Sequence, residues 1–277
     1  MILRPWFFGS VLAVSLGLTA CGPTYMNAHV AKTIEQICRT EYHFQVAAKQ
    51  VGNTVAVHLH HAGILQQTGS QVGLATSANE TLANLIEVIH RVVLSADTPM
   101  SFYIVLVSDP AVSGAYLTLV RYVDDVRRAN ANSIPPTELF SRTIFELKYD
   151  ATTPTLNLNE LSLNEIHLGE FLSWQIARRI QTRLTETLQR TGLPASAVGQ
   201  CTGEFQHGEF TFTLNMNPGL SDHADQATVQ RVFDEATNVI SSVLSGYRFK
   251  DFSTVRLTHP PSGRSLLLPR GRLEPLR

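Results

Sequence analysis

Phe102-Tyr103-Ile104-Val105-Leu106-Val107 is the stretch that decides the fold. Along a strand, successive side chains point to opposite faces. Here both alternating sets are apolar, which predicts a central strand covered on both sides. Asp109-Pro110 and Ser113-Gly114 then turn the chain. Tyr116 to Tyr122 return as a second strand. Upstream, Leu82, Leu85, Ile86, Ile89, Val92 and Val93 recur at helical spacing. Ser77-Ala78-Asn79-Glu80 has the form of a capping box, in which the serine hydroxyl satisfies a free amide at the helix start. That helix ends before Asp97-Thr98-Pro99.

Working outward, residues 28–42 read as a helix with Val30, Ile34, Ile37 and Cys38 on one face. A hairpin follows. Phe44, Val46 and Ala48 alternate, Gly52-Asn53 turns, and Val55, Val57 and Leu59 alternate again. Residues 66–76 read as a polar loop. After the second strand come a short helix from Val123 and a helix started by Pro135-Pro136. Residues 149–165 shift to Thr, Pro, Asn and Leu and read as a connector. A long helix over 167–190 carries Leu168, Leu172, Ile176, Ile180, Leu184 and Leu188. The Gly-flanked segment around Cys201 reads as a loop. Phe210, Phe212, Leu214 and Met216 alternate with Glu209, Thr211, Thr213 and Asn215 as a strand. A helix over 224–245 and two strands, Thr254 to Thr258 and Ser265 to Leu268, complete the chain.

At the N-terminus, Arg4 precedes an apolar run from Trp6 to Leu18, and Leu18-Thr19-Ala20-Cys21 follows. The run is too short for a membrane span, which needs roughly 20 apolar residues. It has the parts of a secretory signal, and the tetrapeptide resembles the lipobox of bacterial lipoproteins. The resemblance implies cleavage before Cys21 and transfer of a diacylglyceryl group to its sulfur, a soft nucleophile suited to thioether formation. Several acyl chains anchor a protein where one binds only reversibly. Gly22, where an Asp would mark inner-membrane retention, implies the outer membrane and a body facing the periplasm.

The order of elements repeats, with negligible identity between the halves. The expected fold class is α+β: two pseudo-repeated α-β-α-β-β units, with amphipathic helices on mainly antiparallel sheets. The expected organisation is a signal peptide over 1–20, a lipidated tether over 21–27, a first unit over 28–148, the connector over 149–165 and a second unit over 166–277. The order resembles the small α-β-α-β-β domain called BON, found in tandem in envelope lipoproteins and able to contact phospholipid. The resemblance is one of element order and carries no residues over.

A net charge of −1 argues against a nucleic-acid partner, because phosphate binding needs a basic surface. No P-loop, GxGxxG or GxSxG motif is present, and no cofactor is implied. His58 and His60 share one strand face and are the candidate metal ligands, with a third ligand required from elsewhere. His43 and His90 are the other histidines that folding could bring near them. Tyr122-Val123-Asp124-Asp125 matches a polymerase metal motif, but its setting is that of a helix start, where Asp complements the dipole. Cys38 and Cys201 are the candidate disulfide partners in an exported chain. Arg256, Arg264, Arg270 and Arg272 make the C-terminal segment basic and are candidates for contact with anionic lipid. The expected role is non-catalytic binding or scaffolding of an envelope protein partner. The alternatives are an anionic-phospholipid-binding module and a metal-dependent hydrolase using His58 and His60.

Overall fold

The computed structural model describes residues 25–69, 71–150, 158, 161–190, 198–216 and 226–273. Residues 1–24, which include Cys21, lie outside the described residues, so the structure does not bear on the signal and lipid anchor. Among the described residues the chain forms six α-helices and eleven strands.

The first unit runs α1 (Val30–Glu41), β1 (Val46–Val51), β2 (Thr54–His60), β3 (Leu65–Thr68), β4 (Gln71–Leu74), α2 (Ala78–Leu94), β5 (Phe102–Ser108), β6 (Ala115–Tyr122), α3 (Val123–Asn130), α4 (Pro136–Arg142) and β7 (Ile144–Tyr149). The second runs α5 (Leu168–Arg190), β8 (Val198–Gln206), β9 (Glu209–Met216), α6 (Gln226–Tyr247), β10 (Thr254–His259) and β11 (Arg264–Pro269). The first sheet has the order β1-β2-β5-β6-β7 and the second β11-β10-β9-β8. In each, two antiparallel hairpins are joined by one parallel pair, β2 with β5 and β9 with β10. A helix makes the crossover each time, α2 and then α6, as a parallel connection requires. The chain is therefore α+β on largely antiparallel sheets.

The expected helix faces form the cores. Val30, Ile34, Ile37 and Cys38 of α1 pack with Leu85, Ile89, Val92 and Val93 of α2 over Val55, Val57, Leu59, Tyr103, Val105 and Val107. Ile34, Leu85 and Ile89 are wholly buried, each stabilising by about 1.5–3 kcal/mol. The second core is aromatic: Phe171, Phe210, Phe212, Phe233 and Phe252 pack with Leu172, Ile176, Ile180 and Ile240.

The doubly apolar strand β5 is explained by these cores together. One face meets α1 and α2. On the other, Leu106 and Ala56 lie under Leu158, with Leu161 and Leu163 packed alongside. At the end nearest the second unit, Phe102 and Val120 join the core of α5, with the Phe102 and Phe171 ring centroids 5.2 Å apart. Gly52, at φ +54, makes the hairpin turn, and a side chain there would strike the Glu165 carboxylate. That carboxylate accepts the Asn53 N–H at 2.9 Å and ties the segment before α5 to the first sheet.

Three readings need correction, and one unassigned stretch forms a strand. The segment around Cys201 is not a loop but strand β8, so the second unit runs α-β-β-α-β-β, an order the first unit contains with the β3–β4 hairpin, α3, α4 and β7 added. Gly203 conceals it: a Cβ there would collide with the Ser173 carbonyl oxygen, so α5 crosses β8 closely only because residue 203 lacks one. The chain after α4 extends as β7, whose alternation is short and runs into the Thr-rich connector. The polar loop over 66–76 contains the small β3–β4 hairpin, pinned by Asp109, whose Oδ2 accepts the Ile64 and Leu65 N–H groups at 2.9 and 3.0 Å. Ser77 makes no cap bond within its helix; its hydroxyl donates to the Gly63 carbonyl at 3.1 Å instead.

Candidate functional site

The long helix α5 lies between the two units, and one cleft runs along its exposed side. One arm, about 790 Å³, is bounded by α4, α5 and α6 and lined by Phe140, Arg179, Arg183, Glu235, Asn238 and Ser242. The other, about 890 Å³, lies between the open face of β6–β7, α5 and β8, and is lined by Thr118, Lys148, Trp174, Gln181 and Thr202. Ile144, Arg178 and Thr182 line both arms and mark where they meet.

The helical spacing of α5 explains how this surface arises. Leu172, Ile176 and Ile180 face the second core, which turns Trp174, Arg178 and Arg183 outward. The three arginines of the cleft differ in their partners. Arg183 is held by Glu235 at 3.3 Å and Glu186 at 3.7 Å. Arg179 donates to the Ser141 carbonyl and hydroxyl at 3.0 and 3.1 Å, and burial pulls its pKa below the ordinary value. Arg178 is exposed and has no side-chain partner among the described residues. Trp174 is 42% exposed and Phe140 69% exposed.

A buried polar junction adjoins the first arm, reaching its lining through Gln175. Asp125, in the first turn of α3, pairs with Arg142 Nη1 at 2.8 Å and accepts the Tyr247 hydroxyl at 2.6 Å. Gln175 Nε2 donates to the Arg142 carbonyl at 2.5 Å and to Tyr247 Oη at 3.0 Å. The Arg142 guanidinium sits 4.5 Å from the Tyr247 ring centre. Burial raises the Asp125 pKa, opposed by the Tyr247 hydrogen bond and the Arg142 charge. Burial, helped by the Asp125 charge, raises that of Tyr247. Gln175 is buried, lines the arm, and its Oε1 has no hydrogen-bond partner. The Tyr122-to-Asp125 segment is thus a helix start that binds the units together.

His58 and His60 are brought together, on one hydroxyl. Ser108 Oγ lies 2.8 Å from His58 Nε2 and 2.9 Å from His60 Nδ1. The hydroxyl has one proton to donate and two lone pairs, so at most one of the two rings accepts from it and the other donates. Burial, then the neighbouring His60, lowers the His58 pKa. No group of three or more His, Cys, Asp or Glu side chains placed to hold a metal occurs among the described residues. His90 faces the other side of the sheet, where its Nε2 meets the Tyr103 hydroxyl at 2.8 Å.

Cys38 and Cys201 are both free thiols. Cys38 belongs to the aliphatic core and Cys201 packs against the aromatic one. Burial pushes their pKa values up to about 11 and about 12.

The four C-terminal arginines do not share a surface. Arg256 is on the outer face of β10, paired with Glu209 at 2.8 Å. Arg264 sits opposite the buried His259 and reaches over the Phe233 ring at 5.6 Å, on the inner face. Arg270 Nη1 donates to the Lys250 carbonyl, and Arg272 is exposed.

Sequence reasoning missed the cleft. Trp174 and Arg178 are the outward residues of an otherwise well-read helix, and their four-residue spacing was the available signal. No family model matches the chain, and it has no match among curated proteins or solved structures. The cleft is therefore read from its own chemistry.

Proposed function

We propose that this protein is a lipoprotein of the outer membrane, facing the periplasm, that binds an envelope protein partner in the cleft along α5 without chemical turnover. The observation that carries this reading is Arg178: an arginine with no counter-ion among the described residues where two large grooves meet, flanked by exposed Trp174 and close to exposed Phe140. Arginine and tryptophan are the side chains most enriched where binding energy concentrates. The unpartnered Gln175 Oε1 adds an acceptor in the same wall. The lipobox-like Leu18-Thr19-Ala20-Cys21 supports the location.

A photo-cross-linking residue placed at Trp174 or Phe140 in cells should capture the same protein. One placed at Thr211, on the opposite side of the second sheet, should not. Arg178→Glu should reduce capture at both cleft positions. Equal capture at all three positions overturns the cleft reading. Cys21→Ala should abolish acyl labelling, and a labelled mutant overturns the anchor.

A further inference from the structure

The free edge of β7 sets it apart from the other sheet edges. Edge strands expose unpaired amides and carbonyls, which proteins blunt with caps, bulges or prolines. On β1, Glu35 Oε1 accepts the Ala48 N–H at 2.8 Å. On β8, Gln181 Oε1 accepts the Cys201 N–H at 2.6 Å, and the register shifts between Val198 and Cys201. β11 ends in Pro269. β7 has none of these devices among the described residues.

Its outward groups follow from the ladder. Asp150 N donates to Gly114 O at 2.9 Å, toward β6. Bonding direction alternates along an antiparallel strand. The N–H and C=O groups of Phe145, Leu147 and Tyr149 therefore point away from β6, toward the open edge.

We infer that this edge pairs antiparallel with β7 of a second copy, joining two five-stranded sheets across a two-fold axis at Leu147. The segment Phe145-Glu146-Leu147-Lys148-Tyr149 is complementary to itself in that arrangement. Leu147 meets Leu147, Glu146 lies opposite Lys148 twice, and Phe145 lies opposite Tyr149 twice. Directly opposed side chains share a face and interact, opposite charges and aromatics favourably. Glu146 and Lys148 are exposed, and within one chain they already pair at 3.2 Å across the same face. Pairing edges turns the outward backbone groups of each copy into hydrogen bonds. A two-fold interface of this kind closes and does not propagate. One-residue slips in register are opposed, because they would move Leu147 onto the charged face of the partner strand.

The test uses the full chain in detergent micelles, followed by sedimentation. The parent should show a monomer–dimer equilibrium. Glu146→Lys and Lys148→Glu should each weaken it by about tenfold, because each creates like-charge contacts at both related positions. The double variant Glu146→Lys/Lys148→Glu should restore it. Leu147→Cys should give a covalent dimer on mild oxidation in membranes, since a residue on the axis meets itself. A monomer at every concentration overturns the proposal. So does a dimer indifferent to both single charge changes, and so do single changes that the double variant does not rescue.

Discussion

Set side by side, the two units share a four-strand core topology and finish it with different chemistry. In the first, the helix-facing side of β2 and β5 is mostly aliphatic, and the opposite side is covered at its ends by the connector and by α5. In the second, the inner side of β9 and β10 meets a cluster of phenylalanines, while Thr211, Thr213 and Arg256 leave the outer side polar. The sheet edges differ as well: β1 and β8 are capped by side chains, and β7 has no such cap among the described residues. Strand order thus follows from hairpins and helical crossovers, which both units have. What each sheet presents to its surroundings follows from individual side chains, which they do not share. The cleft exists because the first sheet is covered only in part.

The comparison breaks most severely at the junction between the units. Asp125→Ala should destabilise by about 3 kcal/mol, because it removes the buried partner of Arg142, leaves it only the more exposed Glu138, and takes away the acceptor of the Tyr247 hydroxyl. Urea unfolding followed by circular dichroism measures the loss. A loss below about 1 kcal/mol would mean that the units do not depend on the Asp125 carboxylate.

A smaller effect should separate the units by acidity. Burial, then the Arg121 charge, holds the His90 pKa down to about 4, against an ordinary 6.5. The folded state thus favours neutral His90, and the unfolded state takes up the proton first. Stability from this group is complete above pH 6.5 and is lost as pH falls toward about 4. His90→Gln should reduce the acid sensitivity by on the order of 2 kcal/mol, measured as unfolding free energy between pH 7 and 4. His58 and His259, whose values are lowered in the same direction, should sustain the remainder. An unchanged pH profile would assign acid sensitivity elsewhere.

The smallest effect concerns the edges. Glu35→Ala should cost about 1 kcal/mol by removing the acceptor of the Ala48 amide. It should also leave β1 as open as β7. New association through β1, detected by sedimentation of the Glu35→Ala chain carrying Glu146→Lys, would show that capping is what separates the two edges. Its absence would assign the difference to strand sequence.

Much of the fold was legible because periodicity is a local property. The buried faces of α1 and α2, the alternation of Phe210, Phe212 and Leu214, and the two-sided apolarity of β5 can each be read within a dozen residues. β8 was not legible, because Gly203 answers to the approach of α5 and Gly199 to the backbone of Asn215 on β9, and neither marks a turn. β7 was not, because its alternation is brief. The candidate site was less legible still. His58 and His60 do come together, but around Ser108, a residue distant in sequence.

By itself, then, the sequence determined the α+β class, the helix faces, the strand runs and a lipobox-like N-terminus, since each depends on neighbouring residues and their spacing. Only the tertiary structure decided that Asp125 joins the two units through the Tyr247 hydroxyl, that Cys38 and Cys201 occupy separate cores, that Arg256 and Arg264 face opposite ways, and that Arg178 stands in a cleft with no counter-ion among the described residues. Those are contacts between distant segments. Their energies depend on burial and on which groups remain unpaired, and neither is set until the sheets and helices have packed.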